Sequence, residues 1–171
     1  HFGRPVPRPG GGEVEARFSV FRWPLTERPG GVRIFACQHH TREAVWAPEL
    51  LRHPNGATAL RGVEIVAADP AGAAAHLARM IDRPAARDGE AWRVASGGGR
   101  ADFLFMNADE LARRYPPGAR AGAPAEGVAA LRIATRDPAA VAAFPGALAH
   151  DGRVSLPAHR ASGVILSFES A

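Results

Sequence analysis

Lysine is absent: all 21 basic residues of this 171-residue chain are arginine. That excludes a Schiff-base lysine, a pyridoxal phosphate anchor and a Walker-type GK[ST] loop. Cysteine is almost absent, and Cys37 alone can make neither an intramolecular disulfide nor a cysteine-based zinc cluster. It ends the apolar run VRIFAC, where a small buried side chain is expected. No stretch approaches the roughly 20 apolar residues of a membrane span, and no charged-then-apolar leader marks secretion, so a cytoplasmic protein without membrane contact is expected. The G-x-S-x-G elbow, H-E-x-x-H and a G-x-G-x-x-G opening a helix are all missing, which disfavours serine hydrolases, zincins and dinucleotide binders. The net charge of +4 is modest. Its arginines are scattered and not interleaved with aromatics, so a solvated basic surface is expected and no nucleic-acid partner.

What the chain does contain is internal similarity. GVEIVAADPAGAAAHLARMI (62 to 81) and ALRIATRDPAAVAAFPGAL (130 to 148) each read as an alternating strand, an Asp-Pro pair and an alanine-rich helix. Asp69 and Asp137 fall at N-cap positions, with Pro70 and Pro138 at the first helical position, where a missing N–H costs nothing. Two strand-like runs around a turn follow each helix, in residues 90 to 111 and 151 to 170. The Gly-rich SGGGR lies between two such runs, so a hairpin turn is expected there rather than a phosphate cradle. EARFSVFRWPLTERPGGVRIFACQ (15 to 38) is again two strands around a turn, with no preceding strand and helix. RPGGGE near the start reads as a mobile loop. Because HFGRPVPRPGGG is an unusual opening for a domain, upstream sequence is expected to precede it.

A βαβββ unit in tandem, together with FACQHHTREAVWAPELLRHPNGATAL (35 to 60) leading straight into RGVEIVAADPAGAAAHLARM, resembles the glyoxalase-like domain group of the vicinal oxygen chelate superfamily. That superfamily includes glyoxalase I, extradiol dioxygenases and fosfomycin-resistance proteins. The resemblance implies an α+β fold of tandem βαβββ modules whose curved mixed or antiparallel sheets form cups. Residues 1–58 would be the remaining part of an N-terminal module pair and residues 59–171 a C-terminal pair. It also implies one divalent metal ion in a cup (Zn, Fe, Ni or Mn), held by residues of the first and last strands of each module, and no organic cofactor.

Adjacent strand residues point to opposite faces, so His39 and His40 cannot both enter one cavity while the strand stays regular. His39 fills the histidine position of the Cys-Gln-His motif and is the expected metal ligand, set against a local role anchoring the strand-to-helix turn. Glu169 falls close to the superfamily glutamate. Gly62 and Ala130 stand where a metal-binding histidine would be expected, so the C-terminal pair reads as a structural or dimerising half, and a homodimer is the expected assembly. One carboxylate alone does not hold a catalytic metal. Gln38 and His40 share the other strand face and are candidate ligand-binding residues. Arg42 can pair with a carboxylate or phosphate or simply be solvated. Trp46 and Trp23 offer apolar surface, for which core packing outranks ligand stacking. His53-Pro-Asn-Gly56 is a turn signature and reads as architectural.

No catalytic residue is assigned. The expected partner is a small oxygen-rich molecule, with metal-assisted lyase, isomerase or dioxygenase chemistry on one reading. On the other, the cup sequesters a drug or metabolite without turnover.

Overall fold

The structure is a computed structural model that describes residues 1–171. It is α+β with strands dominant, and it divides into two compact units. One comprises His1–Arg28 and Arg33–His53, the other Pro29–Val32 and Pro54–Ala171. No helix is long and apolar enough to cross a membrane.

The first unit is an antiparallel sheet in the order β1 (Phe2–Pro7), β2 (Glu13–Arg22), β3 (Phe35–His39), followed by the single-turn helix α1 (Arg42–Val45). β2 and β3 are the two strands expected around TERPGG. β1 is an addition that the sequence disguised, because Pro5 and Pro7 argue against a strand. They are tolerated because β1 is an edge, where a proline can turn its missing N–H outward without breaking the ladder. RPGGGE is the tight loop of this hairpin rather than a free segment: Gly11 N donates to Arg8 O and Arg8 N to Gly12 O, each at 3.0 Å. Ala16 and Phe18 pack with Ala44 of α1 into a small core. A four-residue helix covers only that end of the face. Cys37, two residues along from His39, is therefore exposed, which corrects the expected burial.

The second unit is one eight-stranded sheet, and both halves are written strand, helix, three strands. The first half runs β4 (Ala57–Val66), α2 (Pro70–Ile81), β5 (Ala85–Asp88), β6 (Ala91–Val94) and β7 (Asp102–Met106). Two helices follow, α3 (Ala108–Arg114) and α4 (Pro117–Arg120). The second half runs β8 (Gly127–Thr135), α5 (Pro138–Ala142), β9 (Leu148–His150), β10 (Arg153–Leu156) and β11 (Ile165–Ser170). The spatial order is β5-β6-β7-β4-β8-β11-β10-β9. β4 pairs parallel with β7 and β8 parallel with β11, and β4 joins β8 antiparallel. Register shifts along the β4–β8 join are bulges, which bend and twist a sheet.

Asp69 and Asp137 cap their helices: Asp69 Oδ1 accepts from Gly72 N at 2.9 Å, and Asp137 Oδ1 from Ala140 N at 2.8 Å. Replacing either with alanine is expected to cost about 1 kcal/mol, measured as a lower urea midpoint at unchanged slope. An unmoved midpoint in both variants would show that neither cap matters. The Asn55-Gly56 turn is pinned to the end of β8, where Thr135 Oγ1 donates to Asn55 O at 2.6 Å and Arg136 N to Gly56 O at 3.0 Å. At Gly56 φ is +68°, and a Cβ there would meet Thr135 Oγ1 at 2.9 Å, so the glycine is required for the docking.

Strand alternation splits the eight-stranded sheet into two faces. Ile65, Phe105 and Val94 point to the face covered by α2, where Ala74 and Leu77 are fully buried. Val66, Leu104, Met106, Ala130 and Ile165 are covered instead by the α3–α4 segment, which delivers Leu111, Tyr115 and Ala119 into the same core. The strand-like span expected over residues 90 to 111 ends at Met106, and its last residues open α3 instead. Asn107 caps α3, its Oδ1 accepting from Glu110 N at 2.8 Å. Burial would raise the pKa of Glu110, but hydrogen bonds from Arg113 and Arg114 outweigh it and hold the carboxyl below its ordinary range.

Candidate functional site

The end of β3 builds the polar site of the first unit. Phe18 opposes His39 and Ser19 opposes Gln38 across β2 and β3, so the period of two sends His39 to the Phe18 face and Gln38 to the Ser19 face. His39 is half-buried and sits edge-on to Phe18 at 4.9 Å between ring centres, with its Nδ1 buried and unpartnered. Gln38 is exposed. His40 lies just past the strand, held by its backbone N donating to Arg17 O at 2.9 Å. Its Nε2 is 2.6 Å from Ser19 Oγ, and the same oxygen is 2.6 Å from His1 Nδ1.

His1 and His40 border a cavity of about 520 Å³ lined also by Glu15 and Arg17, with Phe2 and Phe18 as apolar walls. A hydroxyl has one proton to donate, so Ser19 can donate to one imidazole while accepting from an N–H of the other. Ser19 thus links the two imidazoles, which line the cavity together with Arg17. The sequence held the signal for His40, through strand alternation, but none for His1 or Ser19, which only the β1–β2 and β2–β3 pairings bring together.

Arg42 and Trp46 pair with each other, the guanidinium carbon 4.8 Å from the indole centre, and neither borders this cavity. Trp46 is 46% exposed, so the expected core packing does not occur. Trp23 is half-buried against Phe21.

The residues present do not make a metal centre. Nowhere do three His, Cys, Asp or Glu side chains converge in a way that could hold an ion. His39 belongs to the first unit and Glu169 to the second, where its Oε2 lies 3.9 Å from Arg132 Nη1 and 3.6 Å from Arg153 Nε. A carboxylate flanked by two arginines is already neutralised.

A second polar cluster lies on the α3 face of the eight-stranded sheet. Register places Gly62, Glu64, Arg132, Ser167 and Glu169 on this one face. Glu64 is fully buried, its Oε1 3.4 Å from Arg132 Nε and 3.7 Å from Arg114 Nη1. The Tyr115 hydroxyl and Ser167 Oγ are buried here as well. Burial, then the charge of Glu64, pushes the Tyr115 pKa above its ordinary value. None of these residues except Glu169 was expected from sequence; a carboxylate amid the apolar strand GVEIV was the available signal for Glu64.

Residues 1–81 match the family model of a Glyoxalase-like domain. No curated protein matches the chain. A crystal structure of a hypothetical protein from Staphylococcus aureus superposes with a TM-score of 0.57 at 8% identity, over 99% of this chain and 55% of that one. Methylmalonyl-CoA epimerase from Mycobacterium tuberculosis superposes with a TM-score of 0.50 at 16% identity, over 70% of this chain and 93% of that one. This chain thus spans about half the length of the Staphylococcus aureus protein. At such identities the likeness is one of fold.

Proposed function

We propose, from the glyoxalase-like match over residues 1–81 and the vicinal oxygen chelate fold, that the first unit binds a small oxygen-rich molecule in the cavity lined by His1 and His40 and transfers a proton there. The observation that carries this reading is the Ser19 hydroxyl held at 2.6 Å from two imidazoles on the cavity wall. In the proposed step His40 takes a proton from a carbon beside a carbonyl, and the C–H electron pair stays on the substrate as an enolate. The imidazolium charge is shared by hydrogen bonding through Ser19 toward His1, while Arg17 faces the enolate. The epimerase named among the structural neighbours supports the choice of an acyl or keto substrate. The donor set does not fit a metal, so no step is routed through one. A second reading, in which the cavity only sequesters its ligand, rests on the apolar walls that Phe2 and Phe18 give it.

The test uses pyruvate, malonate and catechol as probes. Proton NMR in D₂O is expected to show the pyruvate methyl group exchanging with solvent in the presence of the protein, and exchange falling by about 10²-fold in His40→Ala. Probe binding without exchange would support the sequestering reading. No binding of any probe, or exchange indifferent to His40→Ala, would remove the proposal.

A further inference from the structure

We infer that Arg132 is a built-in cation standing where a metal ion would be expected on the α3 face of the eight-stranded sheet, and that Tyr115 closes the Glu64 end of this face as structure. The superfamily resemblance leads one to expect a metal-binding histidine at the first-strand position of Gly62, and glycine cannot supply it. The space is not left open. Arg132 stands opposite Gly62 across the β4–β8 ladder, and a Cβ built on Gly62 would meet its Nε and Nη2 at 2.9 Å each. The guanidinium therefore lies over the position where the ligand side chain would have been.

From there it reaches two carboxylates on different strands. Arg132 Nε is 3.4 Å from Glu64 Oε1 on β4, and Arg132 Nη1 is 3.9 Å from Glu169 Oε2 on β11. A divalent ion would draw on this carboxylate pair, and the guanidinium already lies within ion-pair distance of both, without hydrogen-bonding the buried Glu64 oxygens. Arg114 beside Glu64 and Arg153 beside Glu169 complete the neutralisation. Leu111, Tyr115 and Ala119 form one core with Met106 and Ile165, so α3 and α4 cover the Glu64 end of the network, while Arg132 and Glu169 at its other end stay partly exposed. An arginine has no acceptor atoms and keeps its charge at all working pH values. The network consequently cannot exchange its cation.

The test is thermal unfolding of the full chain in EDTA and in millimolar Zn²⁺ or Mn²⁺, for the wild type and for Arg132→Met, Gly62→Ala and Glu169→Gln. Glu169 is only partly buried, so its variant is expected to fold and serves as the control for metal at the cluster. Any metal-induced shift in the midpoint is expected to be equal in wild type and Glu169→Gln. In EDTA, Arg132→Met is expected to unfold roughly 10 °C below wild type, and Gly62→Ala also below it as the new Cβ expels the guanidinium. A metal-induced rise in the wild type that disappears in Glu169→Gln would overturn the inference. So would midpoints of Arg132→Met and Gly62→Ala indistinguishable from wild type.

Discussion

Tyr115→Ala is expected to lose about 3–5 kcal/mol of stability, the range for emptying an aromatic site in a packed core, and to unfold roughly 10 °C lower. The size of the effect follows from position. Tyr115 is 1% exposed, follows directly after α3, and bridges that helix to Val66, Met106 and Ile165 of the sheet. Tyr115→Phe keeps the ring and removes only the hydroxyl, so its loss should be much smaller. Equal losses in the two variants would mean that the polar contacts with Glu64 and Ser167, not the packing, matter most.

Tyr115 is also the only tyrosine in the chain, which makes tyrosinate absorbance a probe of this one residue. Its pKa is raised above the ordinary value of 10.0, first by burial and then by the charge of Glu64. The folded state thus holds the phenolic proton more tightly than the unfolded state does. The stability linked to that proton is fully present below pH 10 and is lost as pH rises from the unfolded value toward the folded one. Alkaline titration should therefore show no tyrosinate near pH 10 and its sudden appearance together with unfolding. Smooth ionisation of a still-folded protein at pH 10 would show that Tyr115 is open to solvent.

Glu64→Ala is the other large effect. It leaves the guanidinium of Arg132 without its buried partner, and breaking such a pair from one side costs about 3–5 kcal/mol. The sign should turn when both partners go. Glu64→Leu combined with Arg132→Leu removes the unpaired charge, and chemical denaturation should place this double variant above the Glu64→Ala single variant. A double variant less stable than the single one would assign Glu64 and Arg132 independent roles.

Much of the fold was legible residue by residue. The Asp-Pro pairs at 69 and 137 announced two helix starts because a capping carboxylate and a missing N–H act within one helical turn. The alternation of β3 separated His39 from His40 correctly because the strand period is local. β1 stayed hidden because an edge position, which makes prolines harmless, is a property of the sheet and not of the segment. Cys37 and Trp46 misled for a related reason: their burial depended on how far the four-residue helix α1 extends over the sheet.

Local interactions within about four residues, together with the two-residue alternation of strands, set the caps, the turns and the order of elements, and these could be read directly. Which polar groups meet was left to pairings across long stretches of chain. Ser19 meets His40 only because β2 pairs with β3, and Arg132 fills the space over Gly62 only because β4 and β8 run antiparallel in one register. A one-residue slip of either ladder would turn those side chains to the opposite face. Register between distant strands is fixed by the packing of the whole sheet, so the chemistry of both polar clusters belongs to the tertiary structure.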